Sequence, residues 1–137
     1  MQIFLYTFAK LMTLDYIQDI NEYGDDLVRL FDFDKLEAIL FRDAIQDSII
    51  LKNEELDVST LAFIQARNCN LILVIGAEDE GIFSNRELNF ICSLTKESYQ
   101  KMISLLEPFC IKETKGYQYL YDLDSPTDFL FSPAGTW

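Results

Sequence analysis

Leu71-Ile72-Leu73-Val74-Ile75 is a compact apolar run that lies between two polar turns of this chain. Residues 67–70 form the first turn, and the acidic Glu78-Asp79-Glu80-Gly81 forms the second. A short apolar run that is bounded by turn residues and contains β-branched side chains is typical of a central strand. We therefore predict a strand here, followed by a turn in which Gly81 is free to adopt a positive φ.

The segments around this run predict a mixture of strands and helices. Capping residues predict where the two longer helices begin. The first begins at Asp34, whose spacing to Glu37 is that of a capping box, and runs to about Leu51. The second begins at Thr95 and ends near Leu106, because Pro108 stops it. We also expect strands near residues 3–8, 27–33, 61–63, 88–92, 117–121 and 129–131, and a short helix at 14–22.

These elements predict one globular domain over residues 1–137. Its fold class is α+β, with an antiparallel β-sheet meander on which two to three helices pack. A chain of 137 residues is long enough to bury a core without the help of disulfides or metals.

A second interpretation places residues 58–124 in a winged helix-turn-helix, with residues 58–76 as its first helix. The reading helix would then present Lys96 and Lys101, but also Glu97 and Glu107. A DNA-contacting domain normally has a basic stripe for phosphates. Such a module of a transcription or phage-replication protein would therefore act mainly through protein contacts. A strand at residues 70–75 supports the first interpretation, and a helix there supports the second.

The charge of the chain limits the partners that it can bind. Asp and Glu number 23 against 11 Lys and Arg, which gives a formal net charge of -12. Half of the residues are hydrophobic, so the acidic side chains cover a packed domain and do not form a solvated tail. Such a surface repels nucleic acid and anionic membranes and attracts a cationic protein. Mutual repulsion also favours a monomer or at most a weak dimer.

The residue types argue against catalysis, so we do not expect an enzyme. There is no histidine for a Ser or Cys triad, and no glycine-rich nucleotide motif occurs. Cys69, Cys92 and Cys110 are widely spaced, which favours reduced thiols in the cytoplasm over a disulfide framework or a zinc site. The Asp-x-Asp pairs at residues 32–34 and 122–124 suit turns and helix caps better than metal binding. We expect no metal and no cofactor.

Three groups of residues are candidates for contact with a cationic partner. Two are acidic segments expected at loops, where negative charge would steer the partner and raise its rate of association. The third is a row of tyrosines on one face of a strand, because aromatic side chains supply affinity as anchors; packing of this row in the core is the competing interpretation. The candidates are Glu54, Glu55 and Asp57, then Glu78, Asp79 and Glu80, and then Tyr117, Tyr119 and Tyr121.

The overall plan of the chain resembles the small, acidic α+β immunity proteins of bacterial polymorphic and contact-dependent toxin systems. The resemblance rests on Leu30-Phe31-Asp32-Phe33-Asp34 leading into a helix, Asn68-Cys69-Asn70 opening an apolar strand, Leu94-Thr95 starting a helix that ends at Glu107-Pro108-Phe109, and the strand Gly116-Tyr117-Gln118-Tyr119-Leu120-Tyr121. It covers most of the chain. These proteins are a heterogeneous class, so the resemblance assigns no binding residue. It implies stoichiometric inhibition of a cognate toxin, whose basic residues the acidic side chains engage.

Overall fold

The structure is a computed structural model that describes residues 11–20 and 22–135. In chain order its strands are β1 (Met12–Ile17), β2 (Asp26–Phe31), β3 (Leu56–Asp57), β4 (Ile64–Ala66), β5 (Asn70–Ile75), β6 (Gly81–Arg86), β7 (Asn89–Leu94), β8 (Gln118–Tyr119) and β9 (Thr127–Ser132). The two α-helices are α1 (Lys35–Ile45) and α2 (Lys96–Ile111). The strand expected at residues 3–8 lies outside the described residues.

The strands form two mixed sheets, so the α+β class is confirmed but the antiparallel meander is wrong. One sheet has the order β4-β1-β2-β9-β8, and the other has the order β3-β5-β7-β6. Two central pairs, β2 with β9 and β5 with β7, are parallel. Parallel neighbours require a crossover connection. Here most of the chain lies between the end of β2 at Phe31 and the start of β9 at Thr127. No local pattern in the sequence reports such a long-range pairing.

The apolar run at the centre of the chain is a strand, β5, as expected. Its neighbour β7 pairs with it in parallel from Asn70–Asn89 to Ile75–Leu94. Within residues 58–124, α2 is the only α-helix, so the winged helix-turn-helix is wrong for this segment. The β-branched composition and the flanking turns therefore gave the correct interpretation of residues 70–75.

Both helices begin where the capping residues indicate. The backbone N–H of Asp34 donates to Glu37 Oε1 at 2.8 Å, as a capping box requires. After α1 the chain continues in a π-helical segment, Gln46–Leu51, so the helical path reaches the expected residue. Thr95 caps α2, because its side chain accepts a hydrogen bond from the backbone of Ser98.

Three local predictions are wrong. The strand expected near residues 61–63 is a turn, and β4 begins only at Ile64. The expected helix at 14–22 is wrong, because residues 14–17 belong to β1, where Leu14 and Tyr16 alternate toward the core and pair with β2. Pro108 does not stop α2, which continues to Ile111. A proline inside a helix costs about 3 kcal/mol. Phe109 and Cys110 beyond it are buried, and their burial offsets that cost by about 2–3 kcal/mol for the ring alone.

The core lies between the sheets and the two helices and is rich in aromatic rings. Phe131 of β9 lies 5.9 Å from Phe41 of α1 and 5.1 Å from Phe109 of α2, measured between ring centroids. The hydroxyl of Tyr99 in α2 lies 2.8 Å from the carbonyl oxygens of Val74 and Cys92 in the other sheet. Helix α2 therefore contacts both sheets and joins them into one core.

Candidate functional site

The first acidic segment follows the π-helical turn and remains at the surface. Glu54 and Glu55 are exposed, and Asn53 before them has a positive φ of 55° that turns the chain. Asp57 has a structural role, because its Oδ1 accepts a hydrogen bond from the backbone of Ser59 at 3.1 Å. Two of the three predicted carboxylates are therefore available to a partner.

The second acidic segment lies in the loop between β5 and β6. Asp79 accepts hydrogen bonds from the backbone N–H of Thr95 at 2.8 Å and from the Ser98 hydroxyl at 2.7 Å. These two bonds, the Ser98 bond first, lower the pKa of Asp79. The carboxylate thus stabilises the N-terminus of α2, as a negative charge does there. Glu78 and Glu80 on either side of it are exposed.

The fold brings these two distant segments to the same end of α2. Lys96 Nζ donates to Asn53 Oδ1 at 2.7 Å, while the residue before it binds Asp79. We call Glu54, Glu55, Glu78 and Glu80 the acidic surface. Among residues 11–20 and 22–135, none of these four carboxylates forms an ion pair within 4.0 Å. Their charge therefore faces solvent.

The predicted row of tyrosines is divided. Tyr117 and Tyr119 are 62% and 40% exposed, and their rings meet edge to face at 5.7 Å. Tyr121 is buried, since β8 ends at Tyr119 and the chain then turns into the core. Its hydroxyl accepts a hydrogen bond from the backbone of Ile82 and donates one to the carbonyl of Thr127. Tyr121 therefore joins the two sheets and does not extend the exposed pair.

The exposed tyrosines border an apolar groove on the outer face of the five-stranded sheet. The groove has a volume of about 760 Å³, within the range of ligand-binding clefts. Its apolar lining is Ile17, Ile20, Leu27, Leu130, Tyr117 and Tyr119. We call these six residues the groove. Sequence reasoning found only the tyrosines.

A signal for the remaining groove residues exists in the strands. Leu27-Val28 and Phe129-Leu130-Phe131 place apolar side chains on both faces of β2 and β9. A strand with one solvated face normally alternates apolar and polar residues. Val28, Phe129 and Phe131 belong to the core, so Leu27 and Leu130 face the other side. An apolar residue at both positions indicates a covered or binding surface on that side.

One strong ion pair lies at the floor of the groove. Arg29 Nε donates to Asp15 Oδ1 at 2.7 Å, and its Nη2 donates to Oδ2 at 3.1 Å. The guanidinium also lies 3.9 Å from the centroid of the Phe31 ring. This bidentate geometry fixes the arginine and balances its charge with the carboxylate. The positive charge of Arg29 is thus compensated from within the fold.

The cysteines have the properties of core residues. All three are buried and none forms a disulfide. Burial raises the pKa of Cys69 and of Cys92 to about 12. Because a cysteine nucleophile must be a thiolate, these two thiols are inert near neutral pH.

Neither a cluster of metal ligands nor a membrane-spanning helix occurs in the described residues. No three carboxylates or thiols in residues 11–20 and 22–135 are grouped so that they could hold one metal ion. In the same part of the chain, no helix combines the length and the apolar character needed to cross a bilayer. A scan against models of protein families gave no match, and a search of curated proteins gave none either.

Proposed function

We propose that this chain is a non-catalytic binding protein of the immunity type, which neutralises a basic toxin in the cytoplasm by forming a stoichiometric complex with it. The observation on which this proposal rests is the acidic surface. Two segments more than twenty residues apart place four exposed carboxylates around one helix end. The resemblance to acidic immunity proteins supports the same function.

Electrostatics explains how such a surface would work. The net charge of -12 attracts a cationic protein from a distance, and the acidic surface gives that attraction a direction. Association of oppositely charged surfaces can be on the order of 100-fold faster than that of neutral ones at low salt. An inhibitor that must capture a toxin before it acts gains from such a rate.

The alternative function, a winged-helix module of a transcription or phage-replication protein, has lost its support. It required a helix at residues 58–76, and β5 occupies residues 70–75 instead. We therefore retain the toxin inhibitor as the single proposed function.

A titration of toxin activity tests this proposal. The purified chain is added in increasing amounts to the basic toxin encoded beside its gene, and residual toxin activity is measured. Stoichiometric binding predicts that inhibition is complete at one equivalent and that both proteins elute together as a one-to-one complex. Full toxin activity at a large excess of the chain would contradict the proposal. Inhibition by a small fraction of an equivalent would contradict the non-catalytic mechanism.

A further inference from the structure

The groove and its rim provide a second kind of contact that the acidic surface lacks. Ile20, Tyr117 and Tyr119 are exposed at its rim, while Leu27 and Leu130 form a buried apolar floor. Long-range charge attraction gives little specificity of position. An apolar side chain that enters a groove of this kind is held in one place and removes apolar area from water.

Carboxylates lie beside this apolar groove. Asp128 is the direct neighbour of Leu27 across the β2–β9 pair. With Asp122, it also borders a shallow depression that shares Tyr119 with the groove. Burial first, and then the charges of Asp25 and Asp122, raise the pKa of Asp128. Asp122 and Asp128 carry like charges, and a cation placed beside Asp128 would relieve the repulsion between them.

We propose that the groove receives an apolar side chain of the basic partner, whose neighbouring Lys or Arg contacts Asp128 and the face of Tyr119. This inference rests on the proposed function and adds to it the surface that supplies affinity. The occupant is a segment of a cationic protein in which apolar and basic residues are adjacent.

Charge complementarity identifies this occupant. The loop from Gln18 to Asp25, which contributes Ile20 to the groove, contains Asp19, Glu22 and Asp25 and no basic residue. Among residues 11–20 and 22–135, the basic residues that line the groove are Lys115 and the ion-paired Arg29. A cation over an aromatic ring is favourable as well. An acidic segment of a partner would be repelled by the carboxylates of the Gln18–Asp25 loop and by Asp128.

Fluorescence anisotropy with a defined probe tests this inference. The probe is a short labelled peptide that alternates lysine and leucine, and the reference peptide has glutamate in place of each lysine. We expect the lysine peptide to bind and the glutamate peptide not to bind. Tyr119→Ala should weaken binding of the lysine peptide roughly tenfold, and Asp128→Asn should weaken it about threefold.

Two control variants match the test variants. Phe83→Ala removes an aromatic side chain that is 41% exposed, against 40% for Tyr119, but lies on β6 in the other sheet. Asp47→Asn removes one charge from the π-helical segment. Both should bind the peptide within about twofold of the wild-type affinity. Circular dichroism melts of all four variants show whether each one is folded.

The outcomes separate this inference from the proposed function. Equal peptide affinity for wild type and Tyr119→Ala overturns the inference. A wild-type dimer in light scattering that Tyr119→Ala converts to a monomer also overturns it, because a second copy then fills the groove. If Tyr119→Ala inhibits the toxin as well as the wild type does, the proposed function stands, but the groove does not contribute to toxin binding. If the peptide binds in the groove but the chain does not inhibit the toxin, the proposed function is contradicted and the groove remains a binding site for such a segment.

Discussion

The hydroxyl of Tyr121 connects the two sheets, and its removal should destabilise the whole protein. It accepts the backbone N–H of Ile82 at 3.0 Å and donates to the carbonyl of Thr127. Tyr121→Phe keeps the ring but leaves both backbone groups without this partner. An unsatisfied buried group costs about 1–3 kcal/mol. We expect a loss of that size in the free energy of unfolding, measured by urea titration. A loss below the error of the titration would show that the hydroxyl does not join the sheets.

Ser132 offers a prediction of the opposite sign. Its side chain is fully buried on β9, and its hydroxyl oxygen has no hydrogen-bond partner. Ser132→Ala removes that unsatisfied group and leaves only a small gap. The substitution should stabilise the protein by about 1 kcal/mol, which corresponds to a rise in Tm of about 3 °C. A lower Tm in a thermal melt would mean that the hydroxyl has a partner.

The roles of single residues could be predicted from the sequence where they depend only on residues nearby in the chain. The helix starts at Asp34 and Thr95 and the positive φ of Gly81 are confirmed, because each depends on a few adjacent residues. The prediction that three tyrosines form one row required β8 to extend to Tyr121. Pairing with β9 determines the length of β8, and only Gln118 and Tyr119 pair. Such pairing lies outside any local pattern, so the burial of Tyr121 could not be read from its spacing.

The N-terminus of α2 is the element whose stability depends most directly on pH. Asp79 accepts hydrogen bonds from Thr95 and Ser98, and its pKa is lowered from the ordinary value of 3.8. A carboxylate with a lowered pKa in the folded state adds stability above its unfolded pKa, and this stability is lost as the pH falls below that value. Asp79→Ala should therefore destabilise the protein by about 1 kcal/mol at pH 7.

The pH dependence provides the check on this prediction. The difference in Tm between wild type and Asp79→Ala should shrink as the pH falls through and below 3.8. Glu78→Gln is the matched control, since Glu78 is exposed in the same loop. It should leave Tm nearly unchanged at neutral pH. A constant difference between wild type and Asp79→Ala at all pH values would rule out a role for the ionised carboxylate.

At the scale of elements, the sequence predicted the type of secondary structure better than it predicted which strands pair with each other. The runs at residues 27–33, 70–75 and 129–131 became β2, β5 and β9. Their composition reports a pleated, half-buried surface and nothing about which strand lies alongside. The parallel pairs and the strand β6 were missed for this reason. The extension of α2 past Pro108 was missed as well, because burial of Phe109 is a tertiary effect.

For the whole molecule, the sequence gives the amount of charge and the fold gives its location. Composition alone predicts a cationic partner from the net charge of -12. The sequence does not predict that Glu54 and Glu55 lie at the same end of α2 as Glu78 and Glu80; only the fold shows this. The groove is also visible only in the fold, because β1 and β2 come from the N-terminal part of the chain and β8 and β9 come from its C-terminal part.

The salt dependence of toxin affinity tests the central claim, electrostatic capture of a basic protein, most directly. The dissociation constant is measured by titration calorimetry over a range of salt concentrations. The double variant Glu78→Gln with Glu80→Gln is compared with a control of equal charge, Asp43→Asn with Asp47→Asn, whose carboxylates already pair with Arg42 and Lys52. We predict that wild-type affinity falls with salt, and that the first variant flattens this dependence more than the control. Affinity that is equal in low and high salt would contradict the account.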